Sequence, residues 1–124
     1  MIDMKTKEYF DKIRETVEAW ELAGKKEKFP YSQGTIKAYN MYEDCSPDIY
    51  ILKDFLWESE IEDFVRAIKE AEITQFVYTN QSTALMKNIH QLSKYGVSIS
   101  GLCKTIEHKS RRDVELLGII FTVN

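Results

Sequence analysis

The sequence predicts an α+β fold: a small mixed sheet of three strands with N-terminal helices packed on it. Three observations carry that expectation. Two stretches with apolar residues at helical spacing flank a β-branched and aromatic run between residues 59 and 95. Two further β-rich runs follow, parted by the charged HKSRRD. The 124 residues suit one domain that buries its own core without disulfides or metals. We read residues 1–124 as that domain, with a helical part over about 1–58 and a βαββ part over about 59–124.

Residues 3–23 read as a helix. Tyr9, Phe10, Ile13, Val17 and Trp20 form one stripe, and Gly24 stands where a left-handed residue closes a helix. The stripe is expected to dock on the chain's own core rather than on a partner, because a monomer seldom leaves such a surface wet. A charged connector broken by Pro30 and Gly34 follows. A shorter helix is expected over 33–42, with Ile36, Tyr39 and Met41 inward. Ser46-Pro47 breaks the chain. Residues 48–56 are ambiguous by periodicity, and Ile49, Leu52, Phe55 and Leu56 lean them toward helix.

Ser59 and Glu62 have the S-x-x-E spacing of a capping box, in which two side chains satisfy free backbone donors. Ile61, Phe64, Val65 and Ile68 continue at helical spacing, so this helix is expected to end near Ala71. Residues 73–79 read as a strand. Residues 82–95 read as a helix stopped by Gly96, with Leu85, Met86, Ile89 and Leu92 facing the sheet. Strands over 97–108 and 114–123 make an antiparallel hairpin. The crossover from the first strand through the helix to the second is expected to be parallel and right-handed.

The function classes narrow by charge and motif. A net charge of −3 weakens a nucleic-acid reading, which expects a basic face. No apolar run is long enough to span a bilayer, and the N-terminus lacks a secretory apolar core. Cys45 and Cys103 lack paired spacing and read as reduced thiols, so a cytoplasmic protein is expected. There is no GxSxG, Walker loop, HExxH or dinucleotide fingerprint. We therefore expect no catalytic residues, no metal site and no cofactor, and the reading leans away from an enzyme.

The candidate site is the polar run Thr79-Asn80-Gln81-Ser82-Thr83 between a strand and a helix. A βα turn is where open sheets place ligands, and a helix start offers N–H groups to an anion. Against this stands a plain helix cap, since Asn, Ser and Thr cap for local reasons. The turn has no glycine and no lysine, which a phosphate loop would carry. The cap is the first reading and a small anionic ligand the alternative.

A second candidate is Lys109, Arg111 and Arg112, a basic hairpin tip able to contact nucleic-acid phosphates, or only to keep an edge soluble. Glu58, Glu60, Glu62 and Asp63 read as an acidic helix start favoured by the dipole, or as part of an acidic patch that Asp3, Asp11, Glu15, Glu18 and Glu21 extend. His90 reads as a border-of-core residue, with a Cys103–His nucleophile pair as the remote alternative. The partner expected from these features is another protein or a second copy; nucleic acid is disfavoured, and a membrane is not expected.

The run FVYTNQSTALMKNIHQLSKYGVSISGL, with DFLWESEIEDFVRAIKEAEI before it, resembles small proteins carried by integrative and conjugative elements of gut-type Gram-positive bacteria. In that group a strand enters a polar turn, then a helix, a glycine and a strand. The corresponding features here are residues 76–78, Gln81-Ser82-Thr83, residues 85–92, Gly96 and residues 97–102. The resemblance spans most of the chain and its motif is not a catalytic one. It implies a setting, an accessory gene on a mobile element, and no mechanism.

Overall fold

A computed structural model of the chain describes residues 4–44 and 49–124, with residues 108 and 109 described by backbone alone. Cys45, the Ser46-Pro47 break and Asp3 therefore lie outside the described residues. The element order is α1 (Met4–Leu22), α2 (Gln33–Glu43), β1 (Ile51–Leu52), α3 (Glu58–Glu70), β2 (Gln75–Tyr78), α4 (Leu85–Lys94), β3 (Val97–Lys109) and β4 (Arg112–Val123). The fold is α+β, as the periodicities predict.

The sheet has four strands in the order β1-β2-β4-β3. β1 is the strand missing from the three expected. It pairs parallel to β2, with Ile51 opposite Val77 and Leu52 opposite Tyr78. The Val77 amide donates to Tyr50 O at 2.9 Å and the Thr79 amide to Leu52 O at 3.1 Å. This corrects the helical lean of residues 48–56, as far as they are described. The edge of β2 needed a partner, and pairing overrode a short local periodicity. Residues 53–57 leave β1 as irregular chain, with Leu56 buried in the core.

β2 and β3 each run antiparallel to β4, so they are parallel to one another. The β2-α4-β3 crossover is parallel as expected, with β4 inserted between its two strands.

The helices lie on one face of this sheet. Phe76 and Tyr78 of β2, Phe121 of β4 and Val97 of β3 meet Phe64 and Ile68 of α3 and Leu92 of α4 in one core. Phe64, Phe76 and Phe121 are linked by ring contacts at 5.5 and 5.3 Å. Ring pairs at such separations add to the burial of their large apolar surfaces. Val77 and Ile120, one residue out of phase, stand on the opposite face and outside that core, as a period of two requires.

α1 docks on the chain's own core, as its aromatic stripe predicts. Phe10 and Ile13 are buried, Phe10 stacks on Tyr42 at 4.6 Å, and Thr6 Oγ1 donates to Ala71 O at 2.5 Å. Farther along, Trp20 packs edge-on against Phe29 and donates to Glu27 O. Gly24 and Gly96 both adopt positive φ, +87° and +81°, where the two helices stop.

α3 starts two residues before the expected capping box. Its N-cap is Trp57, and Glu60 rather than Glu62 supplies the carboxylate that accepts from the cap's amide, at 2.8 Å. Among the described residues no helix is long and apolar enough to cross a membrane.

Candidate functional site

The polar run 79–83 is the loop that carries the chain from β2 up to α4. Its first two side chains tie that loop to the exit of β1. Thr79 Oγ1 donates to Leu52 O at 3.5 Å, and Asn80 Nδ2 donates to Lys53 O at 3.2 Å. Gln81 and Thr83 are exposed.

The cap reading of this run is corrected by the structure. α4 begins at Leu85, three residues later than expected, and its N-cap is Ala84, with no side-chain cap bond. Ser82 takes part in the turn through its carbonyl, which accepts the Leu85 amide at 3.1 Å. Its hydroxyl oxygen is buried and has no hydrogen-bond partner among the described residues. A buried unpaired hydroxyl is costly, so the loop holds Ser82 in a place its chemistry does not favour.

Beside this loop lies a cavity of about 200 Å³. Tyr78, Leu85, Leu102, Leu117 and Ile119 form its apolar wall, and Asn80 and Gln81 supply the polar groups. Among the described residues no charged side chain lines it. The loop is thus adjacent to a cavity whose chemistry suits an apolar group better than an anion. Leu102 and Leu117 come from β3 and β4, and nothing in the local pattern around residues 79–83 points to them.

Those two leucines belong to a larger apolar surface. β3 has 13 residues and α4 has 10. At ~3.3 Å per strand residue and ~1.5 Å per helical residue, the strand is nearly three times the helix's length. The hairpin therefore runs on past the helical layer. Burial falls along it: Val97 is fully buried, whereas Leu102 is 78% exposed. Ile99, Ile106 and Leu117 are also exposed. By register these four residues share the face that carries Phe121. Lys104 on the same face pairs with Glu115 at 3.0 Å.

The hairpin turns through Ser110 and Arg111, with Lys109 paired to Arg112. The strands thus reach closer to the tip than expected. Arg111 and Arg112 are exposed at the far end of the hairpin; the side chain of Lys109 lies outside the description. The acidic start of α3 is internally neutralised. Glu58 pairs with Lys87, Glu60 with Lys37, and Glu62 and Asp63 with Arg66. Cys103 shares the sheet face of Gly118 and Val77, away from α4. The sheet therefore separates its thiol from His90, which is exposed on α4.

No curated protein and no solved structure matches this chain. The sequence pattern of a domain of unknown function, DUF7698, matches residues 34–122. The matched span runs from the start of α2 to the end of β4 and includes both the loop and the hairpin. α1 lies before it, although Phe10 and Ile13 share the same core. The chain belongs to the DUF7698 family.

Proposed function

We propose that this protein works by binding another protein through the apolar face of the β3–β4 hairpin. The observation that carries the reading is the run of exposed Ile99, Leu102, Ile106 and Leu117 on one face of a hairpin that outreaches the helices. Exposed apolar side chains gathered on one face, here around the Lys104–Glu115 pair, mark interaction sites in soluble proteins. The cavity at the base of the hairpin adds a recess for an apolar side chain of the partner. The setting that fits this reading is the cytoplasm, as an accessory factor of a mobile element; the support for that setting is the sequence resemblance.

The test compares wild type with a Leu102→Glu/Leu117→Glu double variant. Both positions are exposed, so the change is expected to cost no more than ~0.5 kcal/mol per site. Sedimentation and quantitative recovery from host-cell lysate are the readouts. Wild type is expected to self-associate, or to hold a protein that the double variant loses at an unchanged melting temperature. If both remain monomeric and recover the same proteins, the reading fails.

A further inference from the structure

We propose that the partner is a second copy of this chain, joined edge to edge through β3 about a twofold axis at Thr105. This rests on the association reading above but places this contact on the β3 edge beside the apolar face: about this axis the two hairpins' apolar faces lie side by side on one side of the joined sheet. The strand order leaves β3 with β4 on one side and no strand on the other among the described residues. An edge strand presents a row of backbone donors and acceptors that another strand can satisfy. β3 is the longest strand here and contains no proline, and its bulge lies near its start, between Ile99 and Gly101. From Gly101 to Lys109 its register against β4 is unbroken.

Self-pairing has a parity rule. About a twofold axis normal to the sheet, residue i meets residue 2c − i, so partners share a face only when the axis passes through a residue. The regular stretch 101–109 has its midpoint at Thr105. With the axis there, every residue of the stretch has a partner: 101 meets 109, 102 meets 108, 103 meets 107 and 104 meets 106.

Charge selects the same register. Within the paired residues 101–109 the charged side chains are Lys104, Glu107 and Lys109, and Glu115 of the neighbouring strand neutralises Lys104 at 3.0 Å. With Glu115 the stretch carries Lys104 and Lys109 against Glu107 and Glu115, so an edge with no net charge does not repel its own copy. Moving the axis to Lys104 would set two lysines face to face, which is destabilising. Moving it to Ile106 would leave residues 101 and 102 unpaired. At Thr105, two threonines meet on the axis, a favourable cross-strand pair. The Lys104 stem then lies beside the exposed Ile106 of the second copy, covering apolar surface while its ammonium stays wet.

The experiment uses the full chain. Thr105→Cys is made in a Cys45→Ser/Cys103→Ser background and oxidised. Residues facing each other across an antiparallel pair lie ~4.5–5.5 Å apart at Cα, within disulfide reach. A covalent dimer is expected, while natural Cys103 on a Cys45→Ser background gives none, because it faces Glu107. In parallel, Thr105→Lys and Thr105→Glu are each expected to weaken the dimer by at least about tenfold in sedimentation equilibrium. Mixing the two is expected to restore a heterodimer, which a merely misfolded variant would not do. A dimer that is neither cross-linked nor rescued at position 105 overturns this pairing and leaves the association reading standing. A chain that stays monomeric at all concentrations overturns the pairing too, and the lysate comparison with the Leu102→Glu/Leu117→Glu variant then decides the association reading by itself.

Discussion

Lys37 Nζ lies 2.6 Å from Glu60 Oε1, and the two side chains are only 16% and 11% exposed. The same carboxylate oxygen accepts the Trp57 amide at 2.8 Å, and the same ammonium donates to the Phe55 carbonyl. One ion pair thus joins α2, the first turn of α3 and the irregular segment between β1 and α3. Truncating one member leaves the other charge buried without its counterpart. Glu60→Ala is therefore expected to lose ~3 kcal/mol, read as a lower urea midpoint at constant slope. A loss under ~0.5 kcal/mol would place this pair among ordinary surface pairs.

Gly34 of α2 lies directly against the backbone of α3. A Cβ there would collide with the Glu60 carbonyl oxygen and stand 2.9 Å from the Phe64 nitrogen. Backbone atoms cannot move aside as a side chain tip can. Gly34→Ala is expected to cost ~1–3 kcal/mol despite alanine's better helix propensity. Thermal unfolding checks the sign: a stabilised variant would mean the helices are not held this close.

Ser82→Ala separates the two roles available to the polar loop. A capping serine loses ~1 kcal/mol on truncation. Here the hydroxyl is buried without a partner among the described residues, so its removal is expected to be neutral or to stabilise by up to ~1 kcal/mol. Denaturant titration of the pair decides it, and a clear loss of stability would restore the cap.

Thr6 anchors α1 to the end of α3 through its bond to Ala71 O, and it is 1% exposed. Thr6→Val keeps the shape and strands the carbonyl. A loss of ~1–2 kcal/mol is expected, with faster amide exchange concentrated in α1. Uniform exchange along the chain would show that α1 unfolds only with the rest.

Burial, aided by a hydrogen bond with Glu43, pushes the Tyr39 phenol up to about 12. Its folded pKa is above its unfolded one, so the stability it confers is intact below about pH 10. In the unfolded chain the phenol loses its proton from about pH 10, while the folded chain holds it to about 12. Stability is therefore expected to fall as pH rises through that window. Alkaline absorbance titration should show a late-titrating component that Tyr39→Phe removes; an unchanged curve would contradict it.

Much of this architecture is legible in the residues. The stripes of α3 and α4, the β-branched run of β2, the hairpin, Gly24 and Gly96 are local patterns that mark their elements, although Met86, expected to face the sheet, is 76% exposed. The misses are tertiary. β1 is two residues long and exists because β2 offers it an edge. Glu60, not Glu62, completes the start of α3 because Lys37 reaches across from α2 to hold it there. The insertion of β4 between β2 and β3 leaves no trace in either strand's own pattern. For the candidate site, the polar loop is visible in sequence, but its apolar wall is not. Leu102 and Leu117 join it only once the hairpin folds back, and their alternation alone does not tell a covered face from a bare one.

Sedimentation velocity of the wild-type chain and of Leu102→Glu/Leu117→Glu, run over a hundredfold range of concentration, addresses the hairpin's role most directly. The expected result is that wild type self-associates reversibly with concentration, or holds a host protein, through a surface that the variant loses at equal melting temperature. Identical sedimentation of the two, with identical recovery of host proteins, would contradict a binding surface on this hairpin.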